Sequence, residues 1–418
     1  MSLDLRYRLI DLARGTDSIG LLKELRCWQF ESPQSLARRE AASMRSYFDQ
    51  LRQTVPQFAA VERFEDLPVI DKHYINQHHA SLMNAAYPGR RVRKKTGGST
   101  GEPLVYFTGV EAQSYLWAGL FLAWEVAGYR LGEPVAFLAG SSLFGTGIKQ
   151  KVYYGLLNVT LMSAFDMSRA QLDAYGEALD RGGIRLLYGY ASAIHQLALH
   201  WRALGRKPKN RLRAVVCTAE LLTLQMRADI EEVLGAPCFS QYGCNDAGVS
   251  AFECEHRKGF HLISTRCHAE VLEDGRLIAT DLANTAMFMP RYDTGDRVRL
   301  SDRMCACGRG FPLIDEVLGR QNDVVLDPAG GSVHSEFFTH LFREDQRIQS
   351  FQVLFDERSL RVNLHSSADA AEQALMAERY SGCIQQSLRF PIFELVFNQP
   401  YARLANAKHR FVMRAPRA

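Results

Sequence analysis

Residues 96–101 read Thr-Gly-Gly-Ser-Thr-Gly, so every side chain in this stretch is either absent or carries a hydroxyl. Glycine has no Cβ and tolerates positive φ, which lets successive amides converge on an anion, and the hydroxyls add further donors. A Walker loop would place Lys and then Ser or Thr after its last glycine, but Glu102 and Pro103 follow here. Thr96, Gly97, Gly98, Ser99, Thr100 and Gly101 therefore suit a triphosphate whose charge is met by Mg²⁺, with Lys94 and Lys95 adding a positive field from just upstream. Three distant segments offer matching chemistry. Glu220 stands at the end of an apolar strand candidate in VVCTAELL. Asp246, in QYGCNDAG, offers the hard carboxylate oxygen that Mg²⁺ prefers. Asp296, beside Gly295 in RYDTGDRVRL, offers a carboxylate that can accept from both hydroxyls of a ribose.

A second constellation is softer. FECEHRKGFH (252–261) carries Cys254, His256 and His261, and MCACGRG (304–310) carries Cys305 and Cys307. Thiolates with imidazole favour tetrahedral Zn²⁺. The single residue between Cys305 and Cys307 is tighter than the usual zinc-knuckle spacing, and the two groups lie far apart in the chain. Cys27, Cys217, Cys238 and Cys383 are scattered and read as small buried hydrophobes of a reducing compartment.

The elements that must position these residues follow from periodicity. Apolar residues three and four apart make 5–60 helical, with Ser32–Pro33 as a helix start. The stretch LPVIDKHYIN reads as irregular. Strand candidates at 134–140, 184–190 and 212–219 alternate with the amphipathic runs RAQLDAYGEALDRG and SAIHQLALHWRALG, the pattern of a layered α/β domain. From Gly259 the texture is β-rich, with a turn at Glu273–Asp274–Gly275. After Gly319 come a hinge, a hairpin, three strand candidates and one helix. The fold expected is α/β: a large layered domain over 1–319 with a β-rich subdomain, and a small mobile α+β domain over 320–418. The chain has 418 residues, 47% hydrophobic and 23% charged, and a net charge of +4. That near balance gives no argument for a nucleic-acid partner. No apolar run is long enough for a membrane span, and the charged opening residues do not read as a leader, so a cytoplasmic location is expected.

Taken in order, these segments resemble the adenylate-forming superfamily, within it the phenylacetate–CoA ligase-like branch that includes CapK-type proteins and coenzyme F390 synthetases. TGGSTGEP is similar to its phosphate loop, CTAELL to the segment bordering adenine, YGCND to its YGxTE motif, RYDTGD to its TGD motif and GRQND to its hinge. The resemblance spans roughly residues 25–415. It implies that Thr96, Ser99 and Thr100 contact the β and γ phosphates, with Gly97, Gly98 and Gly101 shaping the loop. Glu220, Tyr242 and Gly243 border the adenine and the acyl phosphate, Asp246 takes the Mg²⁺ position, Asp296 holds the ribose, and Arg320 lies near ribose and phosphate. Lys408 corresponds to the C-terminal lysine that contacts carboxylate and α-phosphate. Three departures stand out: Asp246 where Glu is usual, Asn322 where the hinge has Asp, and Asn406–Ala407 where Ser-Gly precedes the lysine. F390-type relatives carry similar FECxxxxGxH and CxCGR patterns, which implies Cys254, His261, Cys305 and Cys307 as structural zinc ligands, His256 being the alternative to His261.

The reaction implied joins a small-molecule carboxylic acid to ATP, giving acyl-adenylate and pyrophosphate, and then passes the acyl group on. The acceptor is a thiol such as coenzyme A, or an amine or carrier protein. The other reading is a non-catalytic nucleotide-binding partner protein, prompted by the altered motif residues. Segments 139–155 and 186–192, with Phe144, Tyr188 and Tyr190, suit a flat or aryl acid. Neither a nucleic acid nor a membrane is implied as partner, and the oligomeric state is left open, a dimer included.

Overall fold

The computed structural model of the chain describes residues 3–95, 104–140, 148–164, 167–220, 222, 224–317, 324–342, 345, 347–400 and 412–415. Three helices open it: α1 (Leu3–Arg14), α2 (Ser18–Trp28) and α3 (Pro33–Thr54). Pro33 sits in the first turn of α3, where its missing N–H is not needed, and the Ser32 hydroxyl accepts from the Ser35 N–H at 3.2 Å. The irregular reading of LPVIDKHYIN is corrected in its second half. Asp71 caps the Tyr74 N–H at 2.8 Å and starts the short helix α4 (Lys72–Gln77), which α5 (His79–Leu82) follows.

Strands β1 (Val92–Lys95) and β2 (Val105–Thr108) pair as an antiparallel hairpin with Lys94 opposite Tyr106. Residues 96–103 connect them and lie outside the described residues. A layered stretch follows: α6 (Val110–Val126), β3 (Val135–Ala139), α7 (Ile148–Leu156), β4 (Val159–Ser163), α8 (Arg169–Arg181), β5 (Leu186–Tyr190), α9 (Ala191–Ala203), β6 (Ala214–Thr218) and α10 (Leu224–Leu234). The β-rich zone then adds β7 (Cys238–Cys244), β8 (Val249–Glu253), β9 (Phe260–Leu262), β10 (Cys267–Val271), β11 (Arg276–Asp281), β12 (Tyr292–Ser301) and β13 (Leu313–Val317).

Among the described residues, β3 to β13 form one sheet in the order β10-β11-β12-β13-β9-β8-β7-β6-β5-β3-β4. Strands β4, β3, β5, β6 and β7 pair in parallel, and every pairing from β7 out to β10 is antiparallel. The parallel half is covered on both faces, as unbroken apolar runs require. Val135 and Phe137 point into a core with α1, α2 and α6, while Ala136 and Leu138 point into another with α8, α9 and α10. The β10–β11 turn falls where expected, with Gly275 at φ +83° supplying a conformation that a side chain resists.

The C-terminal region is a smaller α+β unit with a core of its own. It holds the hairpin β14 (Val324–Leu326) and β15 (Ser332–His334), then α11 (Ser335–Phe342), β16 (Ile348–Phe355), β17 (Ser359–Ser366), α12 (Ala370–Ser387), β18 (Ile392–Phe397) and β19 (Val412–Arg414). The larger sheet runs β18-β17-β16-β19, and Phe338, Phe342, Val362 and Tyr380 are buried in its core. Asp369 and Glu372 close a capping box on α12. The boundary expected near Arg320 falls within 318–323, outside the described residues. No helix among the described residues is long and apolar enough to cross a membrane.

Candidate functional site

Loops leaving the carboxyl ends of parallel strands in an open α/β sheet form a natural crevice, and the motif residues gather there. Strand β6 leads into Ala219 and the half-buried Glu220, with Ala219 held at φ +65°. A non-glycine residue in that region is strained and persists only where its surroundings hold it. Strand β7 carries Tyr242 and the exposed Gly243, and leads into the loop 244–248 with half-buried Asp246.

Tyr242 and Asp296 meet: the Tyr242 hydroxyl donates to Asp296 Oδ2 at 2.8 Å. A bulge aims the carboxylate. Ile278 of β11 lies opposite Asp293 and Arg276 opposite Arg297, so β12 carries two more residues than its partner across Thr294–Asp296. Gly295 turns there at φ +75°, and its N–H donates to Asp293 Oδ1 at 2.9 Å. The Thr294 hydroxyl donates to Leu277 O at 2.8 Å and accepts from the Asp296 N–H at 3.1 Å. Upstream, Arg291 sits at φ +45°, held by Glu270 and by the carbonyls of Glu65 and Leu67.

Asp246 accepts from the Tyr292 hydroxyl at 3.1 Å and from the Cys244 thiol at 2.9 Å. Tyr106 lies close by, and burial, followed by the charge of Asp246, raises its phenol pKa well above normal. Lys94 shares the hairpin face of Tyr106; burial and then the like charges of Arg14 and Arg266 lower its pKa. The structure thus brings Tyr242, Asp246 and Asp296 into one region with β1 and β2. Thr96, Gly97, Gly98, Ser99, Thr100, Gly101, Phe144, Arg320, Asn322 and Lys408 lie outside the described residues. Tyr190 ends β5, while the Tyr188 ring packs against Trp124 and Phe137 with centroids 5.2 Å apart, which makes it part of the core on that side. Sequence reasoning left out Tyr106 and Tyr292. Tyr292 lies inside RYDTGD, and Tyr106 takes the inward position of an alternating strand, so both carried a signal.

The second cluster assembles as the motif resemblance implied. One donor atom each from Cys254, His261, Cys305 and Cys307 lies within 4.8 Å of all the others. The exposed His256 is not among them. Cys254 follows β8, His261 lies on β9, and both other cysteines fall in the loop from β12 to β13. Pairing of β13 with β9 sets Leu313 opposite His261 and so closes the gap in sequence. The Cys254 and Cys305 sulfurs are 3.6 Å apart, and Cys307 Sγ is 3.3 Å from His261 Nε2. A zinc tetrahedron with bonds of ~2.3 Å to sulfur has edges of ~3.8 Å, so these donors fit Zn²⁺. The chemistry of the set agrees. Burial and then Arg309 pull the imidazole down to about 4, keeping it neutral, and burial pushes the Cys254 thiol up to about 12, so it needs a cation to ionise. Burial also works against Cys307, but hydrogen bonds from the Arg309 backbone and guanidinium carry its pKa below the usual thiol value.

The same loop anchors the N-terminal helices. Arg309 Nε donates to Gln29 Oε1 at 2.8 Å, and the Gly310 N–H donates to Gln29 O at 2.8 Å. A Cβ on Gly310 would lie 1.9 Å from the Glu31 carbonyl oxygen. Gly310→Ala is therefore expected to cost about 2–4 kcal/mol of stability, read by urea unfolding, because backbone must move to admit one methyl.

No family model matches the chain. Over 324 residues it is 26% identical to protein CapK of Staphylococcus aureus, covering 74% of this chain and 71% of that protein. Over 150 residues it is 31% identical to phenylacetate-coenzyme A ligase of Thermus thermophilus, covering 32% of this chain and 34% of that ligase. Among solved structures, 2-hydroxyisobutyryl-CoA ligase with 2-HIB-AMP and CoA in its thioesterification state superposes with a TM-score of 0.60 at 18% identity, covering 91% of this chain and 88% of that one. The same ligase in a postadenylation state with R3-HIB-AMP gives 0.55 at 17% identity over the same shares. With its motifs in matching order, the chain has the fold of the adenylate-forming ligases and is similar to them in sequence.

Proposed function

We propose that the chain is an ATP-dependent acid ligase that forms an acyl-adenylate and pyrophosphate and then transfers the acyl group to a thiol, coenzyme A. The observation that carries this reading is the Tyr242–Asp296 hydrogen bond beside the Asp246 loop, since it joins two separate nucleotide motifs at the carboxyl ends of the strands. The sequence likeness to phenylacetate-coenzyme A ligase and the fold of 2-hydroxyisobutyryl-CoA ligase support coenzyme A as the acceptor.

In this reading the large domain, 1–319, holds both substrates and the small domain, 320–418, brings Lys408 to them. Residues 96–101 cradle the β and γ phosphates, with Thr96, Ser99 and Thr100 donating. Asp296 accepts from the ribose hydroxyls, Glu220, Tyr242 and Gly243 border the base and acyl phosphate, and Arg320 lies by ribose and phosphate. Asp246 would hold Mg²⁺, which would supply positive charge to the phosphates. The acid is already ionised at neutral pH, so its attack on the α-phosphorus needs no general base. Lys408 bridges carboxylate and α-phosphoryl oxygens, where charge develops. Rotation about Asn322, in the hinge motif GRQND, then withdraws Lys408 and admits the thiol. Cys254, His261, Cys305 and Cys307 would hold a Zn²⁺ with a structural role.

The test is pyrophosphate release with ATP, Mg²⁺ and a broad panel of carboxylic acids, aryl acids included, followed by mass spectrometry of products formed with CoA, amines and carrier proteins. An acid that releases pyrophosphate and yields an acyl-CoA is expected. Release with none of the panel overturns the ligase reading, and an acyl-amine or acyl-carrier product replaces CoA as the acceptor. Lys408→Ala is expected to slow pyrophosphate release by ~10²–10³-fold while leaving transfer from preformed acyl-adenylate intact. If neither half-reaction changes, the assignment of Lys408 is wrong.

A further inference from the structure

The end of β11 and the turn after it, Thr280–Asn284, reach the β1–β2 hairpin, the start of the RYDTGD segment and the 244–248 loop. Asn284 Oδ1 accepts from the Gly109 N–H at 3.1 Å and its Nδ2 donates to Phe107 O at 3.0 Å, which holds the β1–β2 hairpin that carries residues 96–103. The Thr280 hydroxyl accepts from the Arg291 N–H at 2.8 Å, at the start of RYDTGD. Asp281 reaches the third motif through Arg266. The guanidinium of Arg266 donates to Asp281 Oδ2 at 3.0 Å and to Asn245 Oδ1 at 3.4 Å, next to Asp246. Gly248, at φ +73°, rests on Asp281 so closely that a Cβ would lie 2.4 Å from its Cγ.

These residues are buried: Arg266 is 1% exposed, Thr280 0%, Asp281 5% and Asn284 3%. An ion pair at that depth is no simple source of stability, since desolvating both charges offsets much of their attraction. Its contacts instead give it a geometric role, because the motif loops approach it from separate elements. We propose that Arg266, Thr280, Asp281 and Asn284 form a positioning hub that sets the phosphate-loop hairpin, the Asn245–Asp246 loop and the Arg291–Asp296 segment relative to one another. Each of the four acts through the residues it holds. The catalytic meaning of the hub rests on the ligase reading above; its mechanical meaning does not.

Two arms test it on the full chain. Hydrogen exchange by mass spectrometry compares wild type with Arg266→Met/Asp281→Asn, Arg266→Lys and Asn284→Ala. The double variant removes the guanidinium without leaving its partner as an unpaired buried carboxylate. It is expected to exchange about tenfold faster at 244–248, Asn284→Ala about tenfold faster at 105–109, and both at the wild-type rate across 351–397 in the C-terminal unit. Arg266→Lys keeps a charge for Asp281 and restores most protection. In pyrophosphate release, the double variant is expected to raise KM for MgATP about tenfold with kcat changed less than threefold, and Arg266→Lys to recover most of that loss. Unchanged exchange at both loops, or an equal rise everywhere, overturns the hub. Should wild type release no pyrophosphate with any acid, the ligase reading falls while the exchange arm still decides the hub. If the double variant does not fold, Asn284→Ala decides alone: wild-type exchange at 105–109, or an equal rise across 351–397, then overturns the hub.

Discussion

Cys305→Ser is expected to yield a chain without bound metal that is less stable by about 4 kcal/mol or more, a loss of the size that follows removal of a structural ion. The reason is the position of the centre. It joins the loop between β12 and β13 to the end of β8 and to β9, and through Arg309 and Gly310 to Gln29 between α2 and α3. Without a cation, this loop would have to keep three thiols and an imidazole packed within 4.8 Å with little to hold them. Metal analysis of the purified wild type is expected to give roughly one Zn²⁺ per chain, in line with a closed four-ligand site. His261→Ala should behave like Cys305→Ser. His256→Ala should keep its metal and its stability, since that side chain is exposed and stands outside the donor set. A metal-free wild type of full stability would remove zinc from the account.

Under the proposed ligase reading, Asp296→Ala is expected to weaken ATP binding by ~10²–10⁴-fold, because two charge-assisted hydrogen bonds to ribose would be lost at about 1.5–3 kcal/mol each. The bulge makes this residue hard to replace. The Gly295 N–H is tied to Asp293 and the Asp296 N–H to Thr294, whose hydroxyl is in turn tied to Leu277 O on β11, so the backbone that carries the carboxylate is fixed. Tyr242→Phe removes only the hydroxyl that donates to Asp296, and should cost about fivefold, near 1 kcal/mol. Calorimetry with ATP and with its 2′,3′-dideoxy analogue separates a ribose contact from general damage. Wild type should prefer ATP strongly and Asp296→Ala should bind both alike. A variant that keeps the preference would place the ribose elsewhere.

Much of this was legible before any coordinates. Ser32–Pro33, the apolar runs that became β3, β5 and β6, and the turn at Gly275 are local signals, and each depends on residues a few positions apart. The short helix after Asp71 was missed because its single cap outweighs a weak period. The hub was missed for another reason. Arg266 carried no motif, and nothing near it in the chain names Asp281 or Asn245 as partners.

Residue types and local order came from the chain alone: the donors for a phosphate, a hard cation and a soft one, and the alternation of strands and helices that carries them. Their partnerships came from long-range pairing. The choice of His261 over His256 follows from β9 lying against β13, the aim of Asp296 from two extra residues on β12 opposite β11, and the approach of Asp246 to Tyr292 from the order of strands across the whole sheet. A side-chain period records which face of its own element a residue occupies. Which strand lies beside it is set by burial and hydrogen bonding summed over the entire sheet, and that sum exists only in the folded chain.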